Sequence, residues 1–219
     1  MREFLFPSKP KKVYDPAKVI PHLTGEWVCQ FKLNGSRAEP SGKRKVKIFD
    51  RHGTTLTIST ERNWNELLKL FPAPFILDGE LIGRKQGEVS NRLYLWDAPV
   101  LGGEDLTKKP YGYRYKRLQE LFAKFALGLP SAKSDYSLES PFAFVYEVAD
   151  IEVSLAKSFD VSKWKDLASF VEKKYRTERA TGEFEGLVFK NVGHNLAWHG
   201  LTTREISQQL KFLFKYYRG

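Results

Sequence analysis

Three short segments of this sequence carry side chains that could do chemistry on a phosphate. The segment Lys32–Arg37 (KLNGSR) places a lysine where a strand should end, and Glu185–Lys190 (EGLVFK) adds a carboxylate and a second lysine. Between them, Leu77–Leu81 (LDGEL) places two carboxylates on one face of a predicted strand. A lysine amine that attacks a nucleotide phosphate needs cations for the phosphates and carboxylates for a metal ion. Together the three segments supply these groups.

Lys32 is the candidate nucleophile, and it needs activation. A free lysine has a pKa of about 10.4, so at neutral pH its amine is protonated and cannot attack. Nearby cations and burial lower the pKa of a lysine. We expect Lys190 and a C-terminal lysine to lower the pKa of Lys32 in this way. The alternative is that Lys32 is an ordinary surface lysine beside a hairpin.

The acidic residues allow two interpretations each. Asp78 and Glu80 could hold a ribose hydroxyl or a Mg²⁺ ion, or they could form a salt bridge at a strand end. Glu185 and Lys190 are five residues apart and would face opposite sides of a regular strand. Either Glu185 lies at the start of the strand, where the chain bends, or a bulge intervenes.

Composition narrows the function classes. The 36 basic and 26 acidic residues give a net charge of +10, which favours a polyanionic partner, although a basic surface alone would also explain it. The single cysteine, Cys29, excludes an internal disulfide, and with four histidines it does not make a zinc site. No apolar run approaches the length of about 18 residues that a membrane helix needs, and the charged start is no signal peptide. We therefore expect an intracellular protein without a membrane partner.

Hydrophobic patterning predicts an α+β fold of antiparallel sheets flanked by helices. Residues 1–25 form a basic extended lead-in, and residues 26–219 form one domain. Trp27–Lys32 alternates as a strand, and Asn34-Gly35 predicts a hairpin after it. Further strands are predicted over Lys43–Phe49, Thr54–Ser59, Phe75–Ile82, Arg92–Trp96, Phe142–Val148, Gly186–Lys190 and Leu210–Tyr217, and helices over Glu61–Phe71, Tyr113–Ala126 and Val161–Tyr175.

In their order along the chain, these segments resemble the motifs of the covalent nucleotidyltransferases, which include ATP-dependent DNA ligases, RNA ligases and mRNA capping enzymes. Lys32–Arg37 is similar to their K-x-D-G-x-R motif, and Asp50–Gly53 to the arginine-glycine turn of ligases. Leu77–Leu81 resembles the third motif, Tyr94–Asp97 the aromatic strand after it, and Glu185–Lys190 the fourth motif. The resemblance implies the adenylation-domain fold.

The resemblance also implies a reaction. Lys32 would attack the α-phosphate of ATP with the help of Mg²⁺ or Mn²⁺, forming a lysyl-AMP. AMP would then pass to a 5′-phosphate, and a 3′-hydroxyl would displace it to seal the break. The resemblance assigns Gln30 and Trp96 to the adenine, Arg51 and Glu80 to the ribose, Arg37 to a phosphate or the nucleic-acid end, Lys190 with Lys211 or Lys215 to phosphate charge, Phe31 and Asn34 to the nucleotide pocket, and Glu185 with Glu80 to the metal.

Three departures from the family pattern stand out. Asn34 replaces the usual aspartate beside the nucleophile, and Leu213 occupies the expected middle position of the final lysine pair, which leaves Lys211 and Lys215 as alternatives. The sequence also stops just after this motif, so we expect no OB-fold domain. Either the enzyme is minimal and uses its own basic surface, or a separate chain supplies the missing part.

The resemblance leaves three candidate functions. The leading one is a minimal ATP-dependent polynucleotide ligase acting on a nicked duplex, with DNA favoured over RNA because Arg37 follows the motif as in DNA ligases. The second is a GTP-dependent guanylyltransferase of the capping type. The third is a catalytically inactive domain that binds nucleic acid. A compact ligase would suit a virus or mobile element.

Overall fold

The computed structural model describes residues 3–56, 63–82, 91–128, 140–148, 150–178, 184–195 and 205–213. Twelve strands are named in these ranges: β1 Lys9–Val13, β2 Trp27–Leu33, β3 Gly35–Gly42, β4 Val46–Phe49, β5 Phe75–Ile82, β6 Arg92–Leu101, β7 Glu104–Asp105, β8 Phe142–Val148, β9 Ile151–Ala156, β10 Phe159–Asp160, β11 Phe184–Asn191 and β12 Glu205–Leu213. The α-helices of the same ranges are α1 Pro16–Val19, α2 Leu67–Leu70, α3 Tyr111–Gly128 and α4 Trp164–Glu178.

The strands form two sheets. Sheet A has the order β1-β12-β11-β2-β10, and sheet B has the order β4-β3-β5-β6-β9-β8, with β7 beside β6. Most neighbours are antiparallel, as expected, whereas β1 pairs with β12 and β6 pairs with β9 in parallel. The predicted α+β class is confirmed. Strand β1 comes from the predicted lead-in, and the division of the chain at residue 25 stays a prediction.

Each sheet packs against one long helix, which gives the molecule two apolar clusters. Helix α3 packs on β6 and β9 of sheet B through Leu118 and Phe122, and α4 packs on β11 of sheet A through Leu167 and Val171. Burying a side chain of this size stabilises the fold by about 1.5–3 kcal/mol. Among the described residues, no helix has the length and apolar character of a membrane-crossing segment.

The predicted hairpin at Asn34-Gly35 is wrong. Strand β2 belongs to sheet A and β3 to sheet B, so the chain passes from one sheet to the other at Asn34. Gly35 is needed there for close approach, because a Cβ at this position would lie 2.5 Å from the carbonyl oxygen of Leu81. The crossing places the end of β2 directly between the two sheets.

Some predicted element boundaries also differ from the structure. Within the described residues, the helix predicted over Glu61–Phe71 is reduced to a 3₁₀ turn, Trp64–Glu66, and the short helix α2. Strand β12 begins at Glu205, before the predicted start at Leu210, and residues 214–217 of the predicted strand lie outside the described residues. The sequence interpretation missed β1, β7, β9 and β10. Strand β9 was missed although Ile151–Ala156 (IEVSLA) alternates apolar and polar residues, and in the structure most of this strand is buried. The turn predicted near Gly87 and the second half of the strand predicted over Thr54–Ser59 lie outside the described residues, and in its first half Thr55 forms an isolated bridge with Phe49.

Candidate active site

A pocket of about 660 Å³ lies between the two sheets. Strands β2, β11 and β12 of sheet A form one wall, and β3, β5 and β6 of sheet B form another. Residues 7–10 and the turn at residues 50–52 complete the lining. The residues proposed from the sequence that line it are Gln30, Phe31, Lys32, Arg37, Arg51, Glu80, Trp96, Lys190 and Lys211.

Lys32 reaches the carboxylates of both acidic strands. Its Nζ lies 2.7 Å from Oε2 of Glu185 and 3.9 Å from Oε1 of Glu80, and it donates a hydrogen bond to the carbonyl oxygen of Leu33 at 3.2 Å. Burial pulls the pKa of Lys32 down, but the negative charges of Glu80 and Glu185 outweigh burial and raise it above its ordinary value. The expectation that cations lower the pKa of Lys32 is therefore wrong for the protein alone, since its nearest neighbours are carboxylates.

A bulge in β11 brings Glu185 to Lys32. Phe184 pairs with Leu33 while Gly186 pairs with Lys32, so Glu185 is the extra residue between the two pairs. This is the second of the two alternatives that the spacing of Glu185 and Lys190 left open. The bulge turns the Glu185 carboxylate toward the amine of Lys32. In a regular strand, Glu185 and Lys190 would lie on opposite faces.

Glu80 is fixed on the other side of Lys32 by the backbone of the crossing segment. The amide N–H of Gly35 donates to Oε1 of Glu80 at 2.9 Å, and Glu80 pairs in register with Arg37 across β5 and β3. Among the described residues no group of three His, Cys, Asp or Glu side chains could hold a metal ion. Mg²⁺, however, is commonly held by one or two carboxylates together with substrate phosphates. Glu80 and Glu185 fit that pattern.

Asp78 forms a salt bridge with Arg37, which is the alternative to a role in binding a ribose or a metal ion. Its two carboxylate oxygens accept hydrogen bonds from Nε and Nη2 of Arg37, both at 2.5 Å, and Trp96 Nε1 donates to Oδ2 at 2.7 Å. Burial raises the pKa of Asp78 despite the Arg37 charge. The guanidinium of Arg37 also lies 5.1 Å from the centre of the Trp96 ring. The Arg37–Asp78 pair thus contacts the indole of Trp96 both at its ring and at Nε1.

Three residues of the pocket lining, Gln30, Trp96 and Lys190, contact Tyr111, which the sequence patterns did not indicate. Its hydroxyl accepts from Nε2 of Gln30 at 3.0 Å and lies 3.4 Å from Nζ of Lys190, and it donates to the carbonyl oxygen of Trp96 at 3.2 Å. Gln30 Nε2 also donates to Oγ of Ser158 at 2.8 Å. Both donor hydrogens of the Gln30 amide are used in this way, so its carbonyl oxygen remains for a ligand.

Lys190 is almost fully buried, with 2% of its surface exposed. Its Nζ lies 4.6 Å from the centre of the Tyr111 ring and 5.4 Å from that of Trp96. Burial lowers the pKa of Lys190 to about 7, although Asp97 and Asp78 act in the opposite direction. Lys190 therefore lies at the same end of the pocket as Gln30 and Trp96. It is four residues along β11 from Gly186, which pairs with Lys32.

A buried ion pair docks helix α3, and Tyr111 with it, against the pocket. Nε and Nη2 of Arg114 each donate to Asp97 at 2.8 Å, and Nη1 donates to the carbonyl oxygen of Lys109. Asp97 directly follows Trp96 on β6. Breaking a pair of this kind by removing one partner is strongly destabilising, because a buried charge is left alone.

The other residues proposed for the nucleotide occupy different positions. Arg51 lines the pocket from the turn that Asp50–Gly53 forms, and Lys211 lines it from β12. The ring of Phe31 packs in the core of sheet A against other aromatic rings, on the face opposite Gln30 and Lys32. Asn34 is the single residue between β2 and β3. Lys215 lies outside the described residues.

The chain is similar to DNA ligases in sequence and in fold, although no family model matches it. It is 26% identical over 148 residues to a DNA ligase of Ignicoccus hospitalis, an alignment covering 52% of this chain and 24% of that protein. The ligase domain of Mycobacterium tuberculosis LigD superposes with a TM-score of 0.59 and 15% identity, over 94% of this chain and 58% of that one. The ATP-dependent DNA ligase of bacteriophage T7, solved in complex with ATP, superposes with a TM-score of 0.56 and 13% identity. The superposition covers 95% of this chain and 68% of that one.

The chain therefore spans about a quarter of the curated relatives and about 58–68% of these structures. At such low identity, a likeness that extends over nearly the whole chain is a likeness of fold. The fold that the motifs implied is confirmed, because the two-sheet structure of this chain superposes on solved DNA ligases. This chain has the fold of the DNA ligase structures to which it is similar.

Proposed function

We propose that this domain catalyses the nucleotidyl transfer of an ATP-dependent polynucleotide ligase. The observation that carries the proposal is the placement of Lys32, whose amine lies in a pocket between the sheets, with two carboxylates within 4 Å. The pocket also presents an aromatic side chain, Trp96, and a buried amide, Gln30, which suit the face and the edge of a base. The likeness to DNA ligases favours DNA as the nucleic acid.

In the proposed reaction, the uncharged amine of Lys32 attacks the α-phosphate of ATP. A nitrogen–phosphorus bond forms, and the bond from the α-phosphorus to the bridging oxygen breaks, releasing pyrophosphate. Gln30 and Trp96 would orient the base, and Lys211 of β12 would balance phosphate charge. Glu185 and Glu80 would hold a divalent cation, whose charge would offset the two carboxylates that raise the pKa of Lys32.

The test is covalent labelling. Incubation of the protein with Mg²⁺ and ATP labelled in the α-phosphate should add one AMP to the peptide that contains Lys32, as measured by mass spectrometry. Lys32→Ala should abolish the adduct, and Lys18→Ala, which removes an exposed lysine elsewhere, should leave it unchanged. An unlabelled wild-type protein, or an adduct that survives Lys32→Ala, would contradict the proposal.

The substrate specificity is part of the proposal. We propose ATP over GTP and a nicked DNA duplex over RNA, with Mg²⁺ or Mn²⁺ as the cation and no further chain required for the first step. Competition of unlabelled GTP against labelled ATP tests the capping-type alternative. Salt-sensitive DNA binding in the absence of any nucleotidyl adduct would instead indicate the inactive nucleic-acid-binding domain.

A further inference from the structure

The side-chain amide of Gln30 is held by two hydroxyl groups. Its Nε2 donates to the hydroxyl oxygen of Tyr111 at 3.0 Å and to Oγ of Ser158 at 2.8 Å. A glutamine amide has a donor end and an acceptor end of nearly the same shape, so the hydrogen-bonding neighbours decide which end lies where. What Gln30 offers to a ligand therefore depends on what Tyr111 and Ser158 can accept or donate.

The hydroxyl oxygen of Tyr111 can only accept from Gln30. The hydroxyl carries one hydrogen, which it donates to the carbonyl oxygen of Trp96 at 3.2 Å. A carbonyl oxygen never donates, so this hydrogen is not available to Gln30. Burial raises the pKa of Tyr111, which keeps the hydroxyl protonated at neutral pH. The NH₂ end of the Gln30 amide must therefore lie beside Tyr111.

Ser158 imposes no such restriction. A serine hydroxyl can rotate and can either donate or accept. Oγ of Ser158 accepts from the NH₂ end of Gln30 in the structure, and it would donate to the carbonyl end if the amide were turned over. Of these two partners, Tyr111 is the one that sets the orientation.

The backbone fixes Tyr111 at the start of helix α3. Its amide N–H donates to the carbonyl oxygen of His194, and that of Gly112 donates to the carbonyl oxygen of Val192, both at 2.9 Å. A Cβ on Gly112 would lie 2.3 Å from Cγ1 of Val192, so the helix and the segment after β11 are in close contact. Tyr111 is 1% exposed. Its hydroxyl is thus a fixed partner for the amide.

This orientation leaves the carbonyl oxygen of Gln30 for the pocket. Gln30 lines the pocket, and among the described residues no donor contacts its Oε1. Oε1 is also not among the described side-chain atoms that are both buried and unpartnered, so a ligand in the pocket can reach it. An acceptor at this place favours a ligand that donates, because a second carbonyl oxygen would leave two acceptors facing each other.

We propose that Tyr111 is a positioning residue for base selection. By holding the amide of Gln30, it makes the pocket prefer a nucleobase with an exocyclic amino group over one with a carbonyl oxygen at the same place. Adenine carries an amino group at C6, whereas guanine carries a carbonyl oxygen there. The inference rests on the proposed function and deepens it, because it assigns the choice of ATP to a residue outside the sequence motifs.

The experiment measures the rate of Lys32 adduct formation at subsaturating ATP and at subsaturating ITP, whose base carries a carbonyl oxygen at C6. Tyr111→Phe removes the hydroxyl and allows the Gln30 amide to turn over. The ratio of the ATP rate to the ITP rate should then fall by about tenfold, the equivalent of one hydrogen bond. If Tyr111 only supports the fold, the variant slows both nucleotides equally and the ratio stays unchanged.

Three further variants sharpen the test. Ser158→Ala should keep the wild-type ratio, because Tyr111 still holds the amide. Tyr113→Phe, which removes the hydroxyl of an exposed tyrosine of α3, should keep it as well. Gln30→Glu combined with Tyr111→Phe should restore the preference for ATP, since both oxygens of a carboxylate accept whichever way the group is turned.

The outcomes separate this inference from the proposed function. An unchanged ratio in Tyr111→Phe, or a tenfold fall in Ser158→Ala, would overturn the inference alone. So would a wild-type protein that forms the adduct equally fast from ATP and ITP. A wild-type protein that forms no adduct with either nucleotide would overturn the proposed function, and the inference with it.

Discussion

Two of the lysines that line the pocket, Lys32 and Lys190, lie in different surroundings. Lys32 lies between Glu80 and Glu185, and their charges raise its pKa. Lys190 is packed against Tyr111 and Trp96, and burial lowers its pKa to about 7. The pocket thus has a charged end and a dry end.

This difference shows that the candidate nucleophile is not the lysine whose pKa is low in the protein alone. A lowered pKa is commonly taken as the mark of a reactive amine. Here the amine that we propose as the nucleophile lies beside two carboxylates, and the amine with the lowered pKa is packed against Tyr111 and Trp96. Activation of Lys32 then depends on what binds to Glu80 and Glu185, which couples the reactivity of the amine to cation binding.

Glu185→Gln gives the largest expected effect. It should change the chemical reactivity of the Lys32 amine and the rate of AMP transfer in opposite directions. Loss of one negative charge 2.7 Å from Nζ should lower the pKa of Lys32 and make its amine more reactive toward acetic anhydride at pH 8. Transfer of AMP should nevertheless fall by about 10²–10³-fold, because a group placed to stabilise the reacting charges is lost. The measurements are acetylation of the Lys32 peptide by mass spectrometry and the rate of adduct formation.

The amine of Lys190 provides the internal control for this experiment. Its acetylation should be the same in the wild type and in Glu185→Gln, since Glu185 does not contribute to its pKa shift. Should the acetylation of Lys32 decrease in the variant, Glu185 would not be what holds its proton. An unchanged rate of transfer would remove Glu185 from the reaction.

Gly35→Ala tests whether the charged end depends on the close approach of the two sheets. The added Cβ would lie 2.5 Å from the carbonyl oxygen of Leu81 and 2.6 Å from Cγ of Glu80, so both the sheet and the carboxylate must move. Overpacking of this kind costs about 1–3 kcal/mol, and adduct formation should fall together with the free energy of unfolding. Chemical denaturation and the labelling assay provide the two measurements.

Gly193→Ala is the matched control, because the nearest atom to an added Cβ there is 3.7 Å away. It should change neither stability nor labelling by much. If Gly35→Ala is as well tolerated as Gly193→Ala, the crossing between β2 and β3 does not position Glu80 in the way described.

Local patterns predicted most of the fold. The strands around Lys32 and Asp78 and the two long helices have strong periodicity, and the structure confirms them within a few residues. The hairpin at Asn34-Gly35 failed because the dipeptide signal is local, whereas the separation of β2 from β3 follows from packing between two sheets. Strand β9 was missed although IEVSLA alternates apolar and polar residues, and its position between β6 and β8 follows from tertiary pairing.

The candidate site was predicted as a set of residues but not as an arrangement. Nine of the proposed residues line one pocket, which the order of the motifs anticipated. The pKa of Lys32 was expected to fall, but the charges of Glu80 and Glu185 raise it. Sequence spacing could not show this, because a bulge turns Glu185 toward the amine. Tyr111 and residues 7–10 belong to no motif, and only tertiary contacts bring Tyr111 against Gln30 and residues 7–10 into the pocket lining.

The smallest effect, and the most direct test of the comparison, is a pair of methionine substitutions with opposite signs. Lys190 has a pKa near 7 in the fold against 10.5 for a free lysine, so folding works against its proton at every pH below 10.5, most fully below pH 7. Lys190→Met should therefore raise Tm at pH 6, by about 2–4 °C for a gain of about 1 kcal/mol, and the gain should fade as the pH rises toward 10.5. Lys32 has a raised pKa, so the stability it provides is fully present below pH 10.5, and Lys32→Met should lower Tm throughout pH 6–9. Two variants whose Tm changes have the same sign would mean that the charged and dry ends of the pocket are not distinct environments.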